Sequence, residues 1–223
     1  EDRFGSVTWG RSDVALVSEW WFNSRRYRSW RIDPSDPAQE AMLLEDRNYQ
    51  DAYADPGSPM TAMNDNGAWS LRFSTDGQGI YYQGRGASAE GVYPFLDRLD
   101  LATGERQRLW QASGDVYESI VDILDDDAER FITRRESLTD PPNYQLRSQR
   151  RRRPKALTRY GDPVPQLAGL QKELVTYERA DGVQLSATLY TPPGWRKKDG
   201  PLPTVFWAYP REHKDKATAS QVT

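Results

Sequence analysis

The side chains able to do chemistry are few and unevenly spread along the 223 residues. There is no cysteine, and His213 is the one histidine. Disulfides, thiolate catalysis, Cys-based zinc sites and histidine metal clusters are therefore excluded. No Gly-x-Ser-x-Gly occurs, the strand-turn-helix elbow that would hold a serine nucleophile. Asp125-Asp126-Asp127 gathers carboxylates, but it lacks the alternating ligands and closing glutamate of a calcium loop, and it reads as a hairpin turn. Arginine remains, whose planar fork pairs bidentately with carboxylates. Arg25-Arg26, Arg85 and Arg134-Arg135 fall at equivalent points of the pattern described next. Among them Arg26 and Arg85 are candidates for holding an acidic side chain of a bound substrate.

The elements that would position these groups are short β-like runs separated by turn signals. The clearest is Trp69 to Phe73, a turn at Asp76-Gly77, then Ile80 to Tyr82. Gly77 can take positive φ without steric cost and close the hairpin. Phe95 to Leu101 and Arg106 to Trp110 follow, with Thr103-Gly104 between them, completing a four-strand meander. The same layout precedes it in Val7 to Trp9, Val14 to Val17, Tyr27 to Ile32 and Ala41 to Leu44. It follows again in Ser119 to Leu124, Arg130 to Thr133, Tyr144 to Arg147 and Lys155 to Thr158. The long connection Asn48 to Gly67 separates the first two units. Four strands every ~40 to 50 residues are the signature of β-propeller blades. Three blades fall short of the roughly four to eight that close a ring, so further blades are expected upstream. In each unit the connection between the second and third strands lies at one end, which places Arg26, Arg85 and Arg134-Arg135 on one face of the propeller.

The pattern changes after Tyr160. Gly161-Asp162-Pro163-Val164-Pro165 reads as a stiff linker. Leu174 to Arg179 and Val183 to Tyr190 flank Asp181-Gly182, a two-residue hairpin signal. Thr191-Pro192-Pro193-Gly194 then breaks the chain, and Pro203 to Tyr209 is the near-continuous apolar run of a buried sheet strand. A sheet of three strands with no covering helix is incomplete, so further protein is expected downstream. The fold class is mainly β: a partial propeller over 1–160, a linker over 161–171, and the first strands of an α/β-hydrolase domain over 172–223, the last assignment resting on the resemblance below.

Charge and composition remove other classes. Thirty Lys and Arg against thirty-three Asp and Glu give a net charge of −3, so no global field recruits nucleic acid or anionic lipid. Arg150 to Arg153 with Lys155 falls in a turn between two predicted strands and reads as a solvated blade edge. No apolar run approaches the ~20 residues that span a bilayer. Twelve Tyr and eight Trp at 37% hydrophobic content argue for packing rather than disorder.

The ordered combination resembles one family. Phe73-Ser74-Thr75-Asp76-Gly77, Glu136 to Tyr144, Asp181-Gly182-Val183, Leu189 to Gly194 and the run into Trp207-Ala208-Tyr209-Pro210 are similar to the prolyl oligopeptidase family of serine peptidases, in its glutamyl endopeptidase-like branch. The resemblance implies a propeller that gates and binds peptide substrate, ahead of a hydrolase domain whose Ser, Asp and His act through an acyl-enzyme. None of that triad is in this sequence, and His213 is misplaced for the family's histidine and reads as a solvated loop residue. The resemblance also implies that Tyr209, after its third hydrolase strand, donates its hydroxyl to the oxyanion hole. Pro210 stands where many relatives carry Gly or Ala. No metal or organic cofactor is implied; the partners are the peptide substrate and the remainder of the same polypeptide, and neither nucleic acid nor membrane. The alternative is a non-catalytic propeller that binds a protein partner, which leaves the strands from Leu174 to Tyr209 without a role.

Overall fold

A computed structural model describes residues 2–209 and 211–222. Its first sheet is a meander of β1 (Arg3–Arg11), β2 (Val14–Trp21), β3 (Arg26–Ile32) and β4 (Met42–Asn48), paired in that order. Next come β5 (Ser58–Pro59), β6 (Thr61–Met63), β7 (Trp69–Leu71), β8 (Gly79–Gly84), β9 (Ala87–Ser88), β10 (Gly91–Val92), β11 (Phe95–Asp100) and β12 (Arg106–Gln111). Of these, β12, β11, β8 and β5 form the second four-stranded sheet. The third is β13 (Tyr117–Ile123), β14 (Arg130–Glu136), β15 (Asn143–Ser148) and β16 (Arg151–Ala156), in sequence order. Three successive antiparallel four-stranded sheets are the blade pattern the sequence predicts, and they do not close into a barrel.

Period-two alternation decides how the blades stack. Side chains along a strand point alternately to its two faces, so Ile80 and Tyr82 of β8 face the first blade while Tyr81 faces the third. The first interface gathers Val14, Leu16, Leu71, Ile80, Tyr82, Leu99 and Leu101. The second gathers Met60, Tyr81, Leu96, Ile120, Ile123, Ala128 and Phe131. The tryptophans divide: Trp110 meets the Phe131 ring edge-on at 5.7 Å, whereas Trp9 and Trp69 are exposed.

The three turns marked by Asp13, Asp76 and Asp126 are tied to one another across the blades. Arg11 Nη1 donates to the Gly77 carbonyl at 2.8 Å. Tyr81 donates its hydroxyl to the Asp126 carbonyl at 2.7 Å, and the Thr75 N–H donates to the same carbonyl at 3.1 Å. Within the middle turn, Gly77 has φ +66°, as the hairpin requires. The Ser74 hydroxyl, the Gln78 N–H and Arg98 hold the Asp76 carboxyl down at about 2.

Several boundaries differ from the sequence expectation. Trp69 to Phe73 does not pair with Ile80 to Tyr82 as one strand: β7 pairs with β6, and only Phe73 bridges Ile80. The long connection supplies β5, which takes the edge of β8 opposite Gln83 and Tyr82. Proline is tolerated there because an edge position leaves its missing N–H without consequence. The last blade ends on Arg151–Ala156 instead of Lys155 to Thr158, so Arg151 to Arg153 lie in a strand and not in a turn. A strand exposed on both faces has no apolar alternation to reveal it, and its charges suit an open edge.

Beyond the blades, β17 (Gln171–Glu178) and β18 (Gln184–Thr191) pair as a hairpin. Its loop has three residues rather than two: Arg179 N–H donates to the Val183 carbonyl and Gly182 N–H to the Arg179 carbonyl, with Gly182 at φ +81°. Such loops end on a residue in the left-handed region. The apolar run Pro203 to Tyr209 is not a strand, and Val205 and Phe206 are 92% and 93% exposed. An extended segment becomes a buried strand only where neighbouring strands take its backbone groups, and among the described residues none lies beside it.

Candidate functional site

The site begins with a turn whose backbone is unusual. Between β2 and β3 the chain reverses over Phe22 to Arg25, and Arg25 takes φ +58°, costly for a side-chain-bearing residue. The strain is held by contacts. The Arg25 guanidinium lies 3.8 Å from the centre of the Phe22 ring, its Nη1 donates to the Phe22 carbonyl, and its carbonyl accepts from the Tyr49 N–H at 2.8 Å. The side chain is buried, and its Nη2 donates to Glu212 Oε1 at 2.5 Å.

Glu212 belongs to the segment 211–222, which crosses back over the first blade. Asp215 accepts from the Thr218 N–H at 2.8 Å and caps the short helix α1 (Lys216–Ala219). That backbone hydrogen bond is the main reason the Asp215 carboxyl lies below its usual range. Both sides of the seam then exchange hydrogen bonds. Lys214 N–H donates to Gln50 Oε1 at 3.0 Å, Ala52 N–H to Gln221 Oε1 at 2.7 Å, and Val222 N–H to the Tyr53 hydroxyl at 2.9 Å. The Lys216 amine reaches the Asp181 carbonyl at the tip of the β17–β18 hairpin.

Between this segment and the connections of the first two blades lies a cavity of about 400 Å³, lined by Tyr49, Gln50, Arg85, Arg211, Glu212 and His213 among others. A volume in the range of small-ligand sites carries two exposed guanidiniums, Arg85 and Arg211. Neither makes an ion pair among the described residues. The neighbouring carboxylate, Glu212, pairs through Oε1 with Arg25. The other arginines singled out by sequence are engaged elsewhere. Arg26 pairs through both nitrogens with Asp46 and does not line the cavity, Arg134 pairs with Glu136 at 2.9 Å, and Arg135 with Asp140 at 3.1 Å.

Tyr209 is 78% exposed, and its hydroxyl has no hydrogen-bond partner among the described residues. Pro210 lies outside the described residues. His213 is not a freely solvated loop residue: it is partly buried, with Nδ1 3.4 Å from Thr218 Oγ1. The sequence reading missed Arg211, because no spacing signals that residues 211–222 return to the turn at Arg25. Of the basic run, Arg150 pairs with Glu129 at 3.4 Å, and Arg151 to Lys155 lie along the exposed strand β16. No group of His, Asp or Glu suited to hold a metal ion occurs among the described residues, and no helix there is long and apolar enough to cross a membrane.

Comparison with known proteins adds sequence relatives. No family model matches the chain. It is 39% identical over 234 residues to a protein of Arabidopsis thaliana named "Probable glutamyl endopeptidase, chloroplastic", covering 99% of this chain and 24% of the relative. A protein of the same name from Oryza sativa subsp. japonica is 38% identical, with 99% and 25% covered. The chain thus spans about a quarter of the length of the curated relatives it matches. Among solved structures, oligopeptidase B from Leishmania major superposes with a TM-score of 0.48 at 14% identity, over 84% of this chain and 24% of that one. TolB from Acinetobacter baumannii gives 0.39 at 17% identity, over 87% and 39%. At those scores nothing about this chain's activity follows.

Proposed function

From its likeness to the glutamyl endopeptidases of Arabidopsis and rice, we propose that the chain belongs to the glutamyl endopeptidase-like branch of the prolyl oligopeptidase family and that these residues serve a serine peptidase as part of its substrate-binding propeller and the opening of its catalytic domain. Residues 1–160 are blades, 161–171 the linker, and 172–223 the first part of the hydrolase domain. The nucleophile, base and orienting carboxylate are contributed by residues outside this sequence.

Two groups of this chain take part in the reaction. As the serine adds to the scissile carbonyl, charge collects on the carbonyl oxygen, and a phenol aimed at that point binds the transition state more strongly than the substrate. Tyr209 fills that role, with its exposed hydroxyl turned to whatever the active site brings to it. Arg85 at the cavity pairs with an acidic side chain of the peptide, whereas Arg26 is held by Asp46. The relatives' printed name, glutamyl endopeptidase, supports an acidic preference, and the observation that carries the reading is the sequence likeness over 99% of the chain.

The test is to treat the full-length polypeptide with a fluorophosphonate probe and with peptides containing a single Glu. Stoichiometric labelling together with cleavage after Glu supports the reading. No label and no cleavage would return the chain to the class of propellers that only bind a partner.

A further inference from the structure

We infer that Arg211 is the second half of a guanidinium pair, with Arg85, that receives the acidic side chain of the residue whose carbonyl is cleaved. The inference rests on the peptidase reading above and deepens it by naming the subsite.

Three observations converge on Arg211. It and Arg85 line one cavity of about 400 Å³ although 126 residues separate them (211 − 85), so two forks from different parts of the fold face one space. A carboxylate between two such forks accepts charge-assisted hydrogen bonds on both oxygens. The carboxylate in the cavity lining, Glu212, pairs with the buried Arg25 at 2.5 Å, and among the described residues neither Arg85 nor Arg211 makes an ion pair with it. Finally, Arg211 follows Tyr209 by two positions, so their Cα atoms are at most about 7 Å apart. If Tyr209 donates to the oxyanion, the side chain within reach of Arg211 is that of the same substrate residue, not of one several positions away.

A neutral side chain of the same shape would leave the two cations desolvated without a partner, and selectivity arises from that penalty. Glutamine is therefore the informative competitor for glutamate. Lysine at 211 keeps the charge but loses the fork.

The experiment compares kcat/KM of the full-length enzyme on peptides differing only in Glu, Gln or Leu at the cleaved position. The variants are Arg211→Gln, Arg211→Lys and Arg85→Gln, with Arg150→Gln as a control in the turn before the far edge strand. Arg211→Gln and Arg85→Gln should each lower the Glu-over-Gln ratio roughly 10- to 100-fold, while the Gln peptide is cleaved within about threefold of the parent rate. Arg211→Lys should fall between, and the control should not change the ratio. A Glu preference unaltered in both Gln variants overturns the inference and leaves the peptidase reading standing. No cleavage of any peptide by the parent enzyme overturns that reading and the inference with it. Should Arg211→Gln fail to fold, product inhibition of the parent by Glu-ended over Gln-ended peptides decides: equal inhibition contradicts the pair.

Discussion

Arg25 and Glu212, 187 residues apart in sequence, are joined by a 2.5 Å ion pair from Nη2 to Oε1, with the arginine side chain only 4% exposed and the carboxylate 73% exposed. The pair fastens the segment after Tyr209 to the strained turn of the first blade. It engages Glu212 through Oε1, and no ion pair joins Glu212 to Arg211 among the described residues.

Glu212→Gln removes the acceptor while keeping the shape. The loss of one charge-assisted contact to a buried cation should cost about 1–2 kcal/mol, less than a fully buried pair because the carboxylate is solvated. Affinity for Glu peptides should not fall, because Glu212 is not a ligand of the substrate. Thermal unfolding and KM for the Glu peptide, measured on the same variant of the full-length protein, check both. A higher KM with unchanged stability contradicts this role for the pair.

Tyr209→Phe separates an oxyanion donor from a packing aromatic. The ring is exposed, so the variant should unfold at the parent temperature. Its kcat should fall roughly 10²- to 10³-fold with KM nearly constant, since the bond is made in the transition state. Unchanged kcat would remove Tyr209 from the mechanism.

Glu118 is a structural counterpart deep in the third blade. It is 2% exposed, accepts from the Thr133 hydroxyl at 2.5 Å, and takes both forks of Arg147 at 2.5 and 2.6 Å. Arg147 also stacks over Trp110. Glu118→Ala leaves a guanidinium and a hydroxyl without their acceptor, which should cost about 3–5 kcal/mol. Denaturant unfolding measures it, and a loss below about 1 kcal/mol would contradict the network.

Acid should loosen the turn that ties the first blade to the second. The Asp76 carboxyl is held at about 2, chiefly by the Ser74 hydroxyl, against an ordinary 3.8. Its folded value is below its unfolded one, so its contribution is complete above pH ~4 and disappears as pH falls toward 2. Asp76→Asn should be less stable than the parent at neutral pH, and the gap should close between pH 4 and 2. A gap independent of pH would show that the carboxylate charge is not what holds the turn.

Much of the blade pattern is legible in the residues themselves. Alternation at Ile80-Tyr81-Tyr82, the Asp-Gly turn and the repeated meander need only local sterics and burial to be read. What is not legible depends on competition and on distance. Ser58-Pro59 displaces Trp69 to Leu71 from the edge of β8 because an edge strand is chosen by tertiary fit, not by propensity. The strand Arg151–Ala156 is invisible because both its faces are charged and exposed. The run Pro203 to Tyr209 has every mark of a buried strand, yet pairing requires partners that residues 2–209 and 211–222 do not supply. Arg85, singled out by its place in the repeat, lines the cavity, while the presence of Arg211 there depends on its segment returning to Arg25.

The most direct measurement is a crystal structure of the full-length protein trapped with a peptidyl phosphonate carrying Glu at the reactive position. The Glu carboxylate should lie within about 3.2 Å of the Arg85 and Arg211 guanidiniums, and the phosphonyl oxygen within the same distance of the Tyr209 hydroxyl. A carboxylate bound elsewhere, with the phosphonyl oxygen held by other donors, would contradict the account.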